Sequence, residues 1–135
     1  MKKTILTALV LLPLCLLAQN KSNPEPASQI KQFWFVLLKK GPVRNQDSLT
    51  ATKIQAGHMA NITRLYEAGT LKVAGPFAEE TLAQGLFIFD CPTKNELETL
   101  LQTDPAIKAG RLVAEIHPWY TAPIGSFAPG KPKKL

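Results

Sequence analysis

Gln32-Phe33-Trp34-Phe35-Val36-Leu37-Leu38-Lys39-Lys40-Gly41-Pro42 is the stretch on which the architecture turns. Six apolar residues in a row, three of them aromatic, stop at Lys-Lys-Gly-Pro, which reads as a strand. Successive strand side chains point to opposite faces, so Phe33, Phe35 and Leu37 form one row and Trp34, Val36 and Leu38 the other. A strand that is apolar on both rows belongs in a sheet covered on both faces.

Outward from this strand the elements alternate. Val43–Leu49 is a polar loop. Thr50–Ala68 reads as a helix closed by Gly69, with Ala51, Ile54, His58, Ile62 and Leu65 on one stripe and Lys53, Asn61 and Arg64 opposite. Leu71–Ala74 is a second strand ending at Gly75-Pro76, Phe77–Gln84 a loop, and Leu86–Phe89 a third strand, again apolar on both faces. Thr93 with Glu96 three residues on is a capping box for a helix burying Leu97, Leu100 and Leu101. Asp104 caps a short turn with Pro105 at its first position and Gly110 at its end. Leu112–His117 is a fourth strand, which Pro118 and Pro123 end.

Strand, helix, strand, strand, helix, strand is the split βαβ order of an α+β, ferredoxin-like βαββαβ domain. Right-handed crossovers put both helices on one face of an antiparallel sheet, leaving the other bare. The apolar rows on that bare face call for a cover, and a second copy of the sheet is the simplest one, making a homodimer. Chain ends or a helical partner are the other covers.

The chain has 135 residues, enough for one domain, and 45% hydrophobic against 19% charged residues is globular composition. Its net charge of +6 resides at the ends. Between Phe33 and Phe127 nine basic residues face nine acidic ones, so no cationic face for nucleic acid is predicted. No apolar run reaches the ~18–20 residues that span a bilayer. Residues 1–19 run from Met1-Lys2-Lys3 through an apolar stretch to a polar exit, the order of an export signal cleaved near Ala18. Acylation at Cys15 is the alternative, but the large Leu14 precedes it. After cleavage Cys91 is the remaining thiol, read as inert and partly buried. The division expected is signal 1–19, polar linker 20–31, domain 32–122 and basic tail 123–135.

His58 sits mid-stripe, where a leucine would pack without polar cost; it is a satisfied core histidine or an acid–base group. Asp104 is an N-cap or the carboxylate that orients such a ring. Gly75-Pro76 is a strand-ending turn or a bare backbone wall for a ligand, with Phe77 lining it. Lys39, Lys40 and Arg44 are a solvated loop or steer an anionic substrate. Two histidines and one cysteine give no metal-site spacing, and no phosphate loop or other cofactor signature is present.

Gly57-His58-Met59, Gly69-Thr70-Leu71 running to Ala74-Gly75-Pro76-Phe77, Asp104-Pro105-Ala106-Ile107-Lys108-Ala109-Gly110 and Glu115-Ile116-His117-Pro118-Trp119 together resemble the YciI family (YCII-related domain) from about Phe33 to Tyr120. The resemblance implies a dimeric α/β barrel and an active site on His58 and Asp104. It brings no substrate. The expected function is an enzyme acting on a small organic molecule by His/Asp proton transfer, elimination or isomerisation, since no nucleophile motif is present. The alternative is a non-catalytic dimeric module binding a small ligand at the cell envelope.

Overall fold

The computed structural model describes residues 30–79 and 81–121. The expected signal at 1–19 with Cys15 and Ala18, all of the linker up to residue 29 and the tail at 123–135 lie outside them. The elements are β1 (Lys31–Lys40), α1 (Ser48–Glu67), β2 (Leu71–Pro76), β3 (Ala83–Phe89), α2 (Lys94–Leu101), α3 (Pro105–Lys108) and β4 (Leu112–Thr121). The sheet order is β2-β3-β1-β4 with every neighbouring pair antiparallel. This is the α+β, ferredoxin-like protomer from which dimeric α/β barrels are built.

The core lies between the sheet and the helices. Val36 and Leu38 of β1 face Phe87 and Gly85 of β3 across the ladder, and these rows pack with Leu65 of α1 and Leu97 and Leu101 of α2. Each fully buried leucine contributes about 1.5–3 kcal/mol. Phe87 and Phe89 meet edge to face at 5.8 Å. The opposite face carries Phe33, Phe35, Leu37, Val73 and Leu86, half-buried, and among the described residues no helix covers it. Phe33 leans on Trp119 and Phe35 on His117 across the β1–β4 pair on that face.

Several boundaries differ from the sequence reading: β2 runs on to Pro76 and β3 begins at Ala83, inside the expected loop, and three further ones have a reason outside the local pattern. β4 runs through Pro118 to Thr121, because among the described residues β4 is an edge strand, where a missing N–H toward the outer side costs nothing; Pro118 pairs with Trp34 in register. β1 begins at Lys31, residue 31 of the expected linker, because the longer β4 supplies Thr121 as its partner. α1 begins at Ser48, since Asp47 is its cap: its carboxylate accepts from the Thr50 N–H (2.9 Å) and the Thr50 hydroxyl (2.7 Å).

Asn61 also departs from its expected exposed position. It is 7% exposed, and its Oδ1 accepts from Arg64 Nη2 at 2.7 Å, with the Thr103 hydroxyl 3.0 Å away. The buried side of α1 is His58, Asn61 and Leu65, turned toward the α2–α3 segment. Gly57 makes that rotation feasible: a Cβ there would stand 2.9 Å from Pro105 Cγ. Asn61 Nδ2 is sealed without a partner among the described residues, at a cost of about 1–3 kcal/mol.

Candidate active site

His58 and Asp104 are 46 positions apart in sequence and meet in the fold. His58 Nδ1 lies 2.7 Å from Asp104 Oδ2. Asp104 is 1% exposed and His58 8% exposed. Each carboxylate oxygen has its own task. Oδ1 accepts the Ala106 N–H at 2.8 Å and the Ile107 N–H at 3.4 Å, capping α3, and Oδ2 serves the imidazole. The capping and orienting readings of Asp104 are therefore both realised in the geometry.

With Oδ2 as acceptor, the neutral ring carries its proton on Nδ1 and its lone pair on Nε2. Nε2 has no protein partner among the described residues and is not among their sealed polar atoms, so it opens to solvent. Phe87 stacks beneath the ring, centroids 6.1 Å apart and planes at 29°, and holds its tilt.

The opening is a cleft of about 360 Å³ between α1 and the β2–β3 edge, within the size range of small-molecule sites. Leu38, Met59, Ile62 and Phe87 form its apolar walls. Gly75 and Pro76 line it together with Ala74. Gly85 matters here because a Cβ on it would stand 2.5 Å from the Gly75 carbonyl oxygen, so the β2–β3 approach requires glycine. Phe77 does not line the cleft. It is 42% exposed and lies in a separate groove with Lys40 and Glu79. The reason is strand alternation: the Phe77 N–H bonds to the Gln84 carbonyl at 3.0 Å, so the ladder continues past Pro76 and the next side chain falls on the other face.

The polar lining is Arg44, Gln55, His58, Gln84 and Arg111. No residue lining the cleft carries a hydroxyl, a thiol or a carboxylate. Arg111 and Gln84 were not singled out from sequence; the available signal was the position of Arg111 directly after the Asp104–Gly110 turn. Cys91 stands elsewhere, against the core, where burial first and then the Glu96 and Asp90 carboxylates push its thiol up to about 11. Among the described residues no cluster of three or more His, Cys, Asp or Glu forms a metal-binding group, and no helix is long and apolar enough to cross a membrane.

Fold and cleft define the protomer class of the dimeric α/β barrels with a histidine–carboxylate pair in a small cleft. Residues 33–120 match the YCII-related domain, and the chain belongs to that family. Among solved structures, muconolactone isomerase matches with a TM-score of 0.54 and 20% identity, covering 71% of this chain and 96% of its own. The 5-chloro-2-hydroxyhydroquinone dehydrochlorinase of Burkholderia phenoliruptrix AC1100, in complex with 2,5-dihydroxybenzoquinone, matches at 0.48 and 19% identity, covering 64% and 92%. No curated protein matches the chain in sequence.

Proposed function

We propose that this protein is an enzyme that moves a proton on a small organic molecule, with His58 as general base and acid and Asp104 as the residue that positions it. The observation that carries this reading is the buried 2.7 Å His58–Asp104 bond, with the free ring nitrogen open beside a cleft whose apolar walls are Leu38, Met59, Ile62 and Phe87. Burying an imidazole beside a carboxylate carries a desolvation cost that their mutual hydrogen bond offsets only in part, where a leucine would pack without it.

In the proposed step the Nε2 lone pair takes a proton from substrate carbon, and the C–H electron pair forms a carbon–carbon double bond. In an elimination the leaving group departs with its electron pair. In an isomerisation an existing double bond of the substrate gives up its π pair to the far atom as the new one forms, and His58 returns the proton to that atom. Asp104 keeps the hydrogen bond to Nδ1 and stabilises the imidazolium that forms. Acyl transfer through a covalent intermediate is disfavoured, because the cleft lining offers no hydroxyl or thiol nucleophile. The fold is shared with muconolactone isomerase, and the proton-shift reading agrees with that protein's name without resting on it.

The proposed assembly is a two-fold homodimer in which Phe33, Phe35, Leu37 and Leu86 of two uncovered sheet faces meet. The proposed destination is outside the cytoplasm, directed by residues 1–19 with cleavage near Ala18. Mass spectrometry of the mature N-terminus tests it: retention of Met1 overturns it, and lipid on Cys15 replaces it with the anchored alternative.

The test of function is turnover of candidate substrates by wild type and His58→Ala. Activity lost by a folded variant supports the reading. Activity retained overturns it, and a ligand bound but unchanged by wild type establishes the non-catalytic module instead.

A further inference from the structure

Two loops that are far apart in sequence are bonded to each other beside this cleft, and each delivers an arginine to its lining. The β1–α1 loop, residues 41–47, is tied to the α3–β4 turn by backbone bonds from the Gly41 N–H to the Arg111 carbonyl (2.8 Å) and from the Val43 N–H to the Gly110 carbonyl (3.1 Å). Gln46 completes the tie: its Nε2 donates to the Ala109 carbonyl at 3.3 Å, and its Oε1 accepts from Arg111 Nη1 at 2.7 Å. Glycine is required on both sides. A Cβ on Gly41 would stand 2.2 Å from the Gly110 carbonyl oxygen, and Gly110 has φ +67° with Val43 Cγ2 2.7 Å from its would-be Cβ. The consequence is that Arg44 and Arg111 line the same small cleft as His58.

The charge of that cleft is unbalanced. The lining contains two guanidinium groups and no carboxylate, although residues 33–127 as a whole carry equal numbers of each sign. Arg44 has no hydrogen-bond or ion-pair partner among the described residues, and Arg111 commits only Nη1, to a neutral amide. Two groups of one sign lining a single small cleft repel unless an anion joins them.

Resting on the proton-transfer reading above, we propose that the substrate is an organic carboxylate whose –COO⁻ group is held by Arg44 and Arg111 while its hydrocarbon part lies on the walls before His58 Nε2. Carboxylate is favoured over phosphate by the surroundings. A guanidinium fork pairs with both groups, but phosphate sites add lysine or free backbone N–H donors at a helix start. No lysine lines this cleft, the α1 start is closed by Asp47, and the α3 N–H groups are taken by Asp104. Leu38, Met59, Ile62 and Phe87 suit a hydrocarbon body. Arg44, free of protein partners among the described residues, would supply capture, and the fixed Arg111 would supply orientation.

The experiment is a binding titration of the purified chain, read by the His58 and arginine side-chain NMR signals, with acetate, benzoate and fumarate, each beside its neutral amide and beside inorganic phosphate at matched ionic strength. At least one carboxylate is expected to shift these signals at millimolar concentration while its amide does not. Arg44→Gln, which removes no protein hydrogen bond or ion pair among the described residues, is expected to weaken that carboxylate about tenfold, and Arg111→Lys, which keeps charge but loses the fork, by a similar factor. Binding is expected to survive His58→Ala, so a failed catalytic role would leave this result standing, and the reverse holds as well. Equal binding of acid and amide, unchanged affinity in Arg44→Gln, tighter binding of phosphate than of every carboxylate, or no shift with any of the three overturns the proposal.

Discussion

Asp104 shows how one side chain can hold two positions open to independent tests. Asn is as good an N-cap as Asp, but its amide presents a donor where Oδ2 accepts, which forces the opposite imidazole tautomer. Asp104→Asn is therefore expected to change folding stability by no more than about 1 kcal/mol while lowering turnover about a hundredfold or more. Thermal unfolding beside steady-state kinetics checks both halves; equal loss in each would mean the carboxylate is structural. Cys91 gives the opposite expectation. A thiol pushed up to about 11 by burial is almost wholly protonated at neutral pH, so iodoacetamide should label it more slowly in the folded protein than after denaturation, as peptide mass spectrometry would show.

Elements in this domain are positioned by glycines at contacts more than by hydrophobic pattern. Gly57 admits Pro105 against α1 and so brings the α3 cap to His58; Gly41 admits the Gly110 carbonyl and so joins the two arginine-bearing loops. Gly41→Ala places a methyl against backbone that has no rotamer to yield, and is expected to destabilise the fold by about 1–3 kcal/mol. It should weaken carboxylate binding as well, because the loops must separate. Denaturant unfolding with the same titration checks this, and wild-type values in both would refute the close contact. β4 supplies a pH-dependent feature. Glu115 bonds to Lys39 and, at 2.8 Å, to His117, and these bonds, Lys39 first, hold its carboxyl below its ordinary value. A lowered carboxyl adds stability that is present above its unfolded value and lost as pH falls through the folded one. Acid titration of Glu115→Gln should thus show a flatter loss of stability on the acid side of pH 4–5, with an effect that shrinks in salt because the group is exposed.

In the whole molecule, one face of the sheet has no helix on it among the described residues, and the row Phe33, Phe35 and Leu37 lies there beside the Lys39–Glu115–His117 group. Phe35→Asp places a charge in the middle of that row. Sedimentation is expected to show a dimer for wild type and a folded monomer for the variant; a wild-type monomer at micromolar concentration would dispose of the barrel assembly.

Order and type of elements could be read from the chain alone because their signals are local. Caps at Thr93 and Asp104, the left-handed glycines at 69 and 110, and the period of each apolar run operate over a few residues. His58 and Asp104 could be nominated as a pair through the family resemblance, before any distance was known. What required the folded chain was everything set by neighbours remote in sequence. Pro118 is tolerated because β4 lies at an edge, Asn61 is buried because α2 and α3 pack on its side of α1, and Phe77 leaves the cleft because the β2–β3 ladder runs further than its pattern indicates. Arg44 and Arg111, 67 positions apart, become neighbours of one cleft through two glycine contacts that no local window contains. Local propensity is a property of adjacent residues; the charge and shape of a cleft are properties of surfaces that only meet once the sheet has closed.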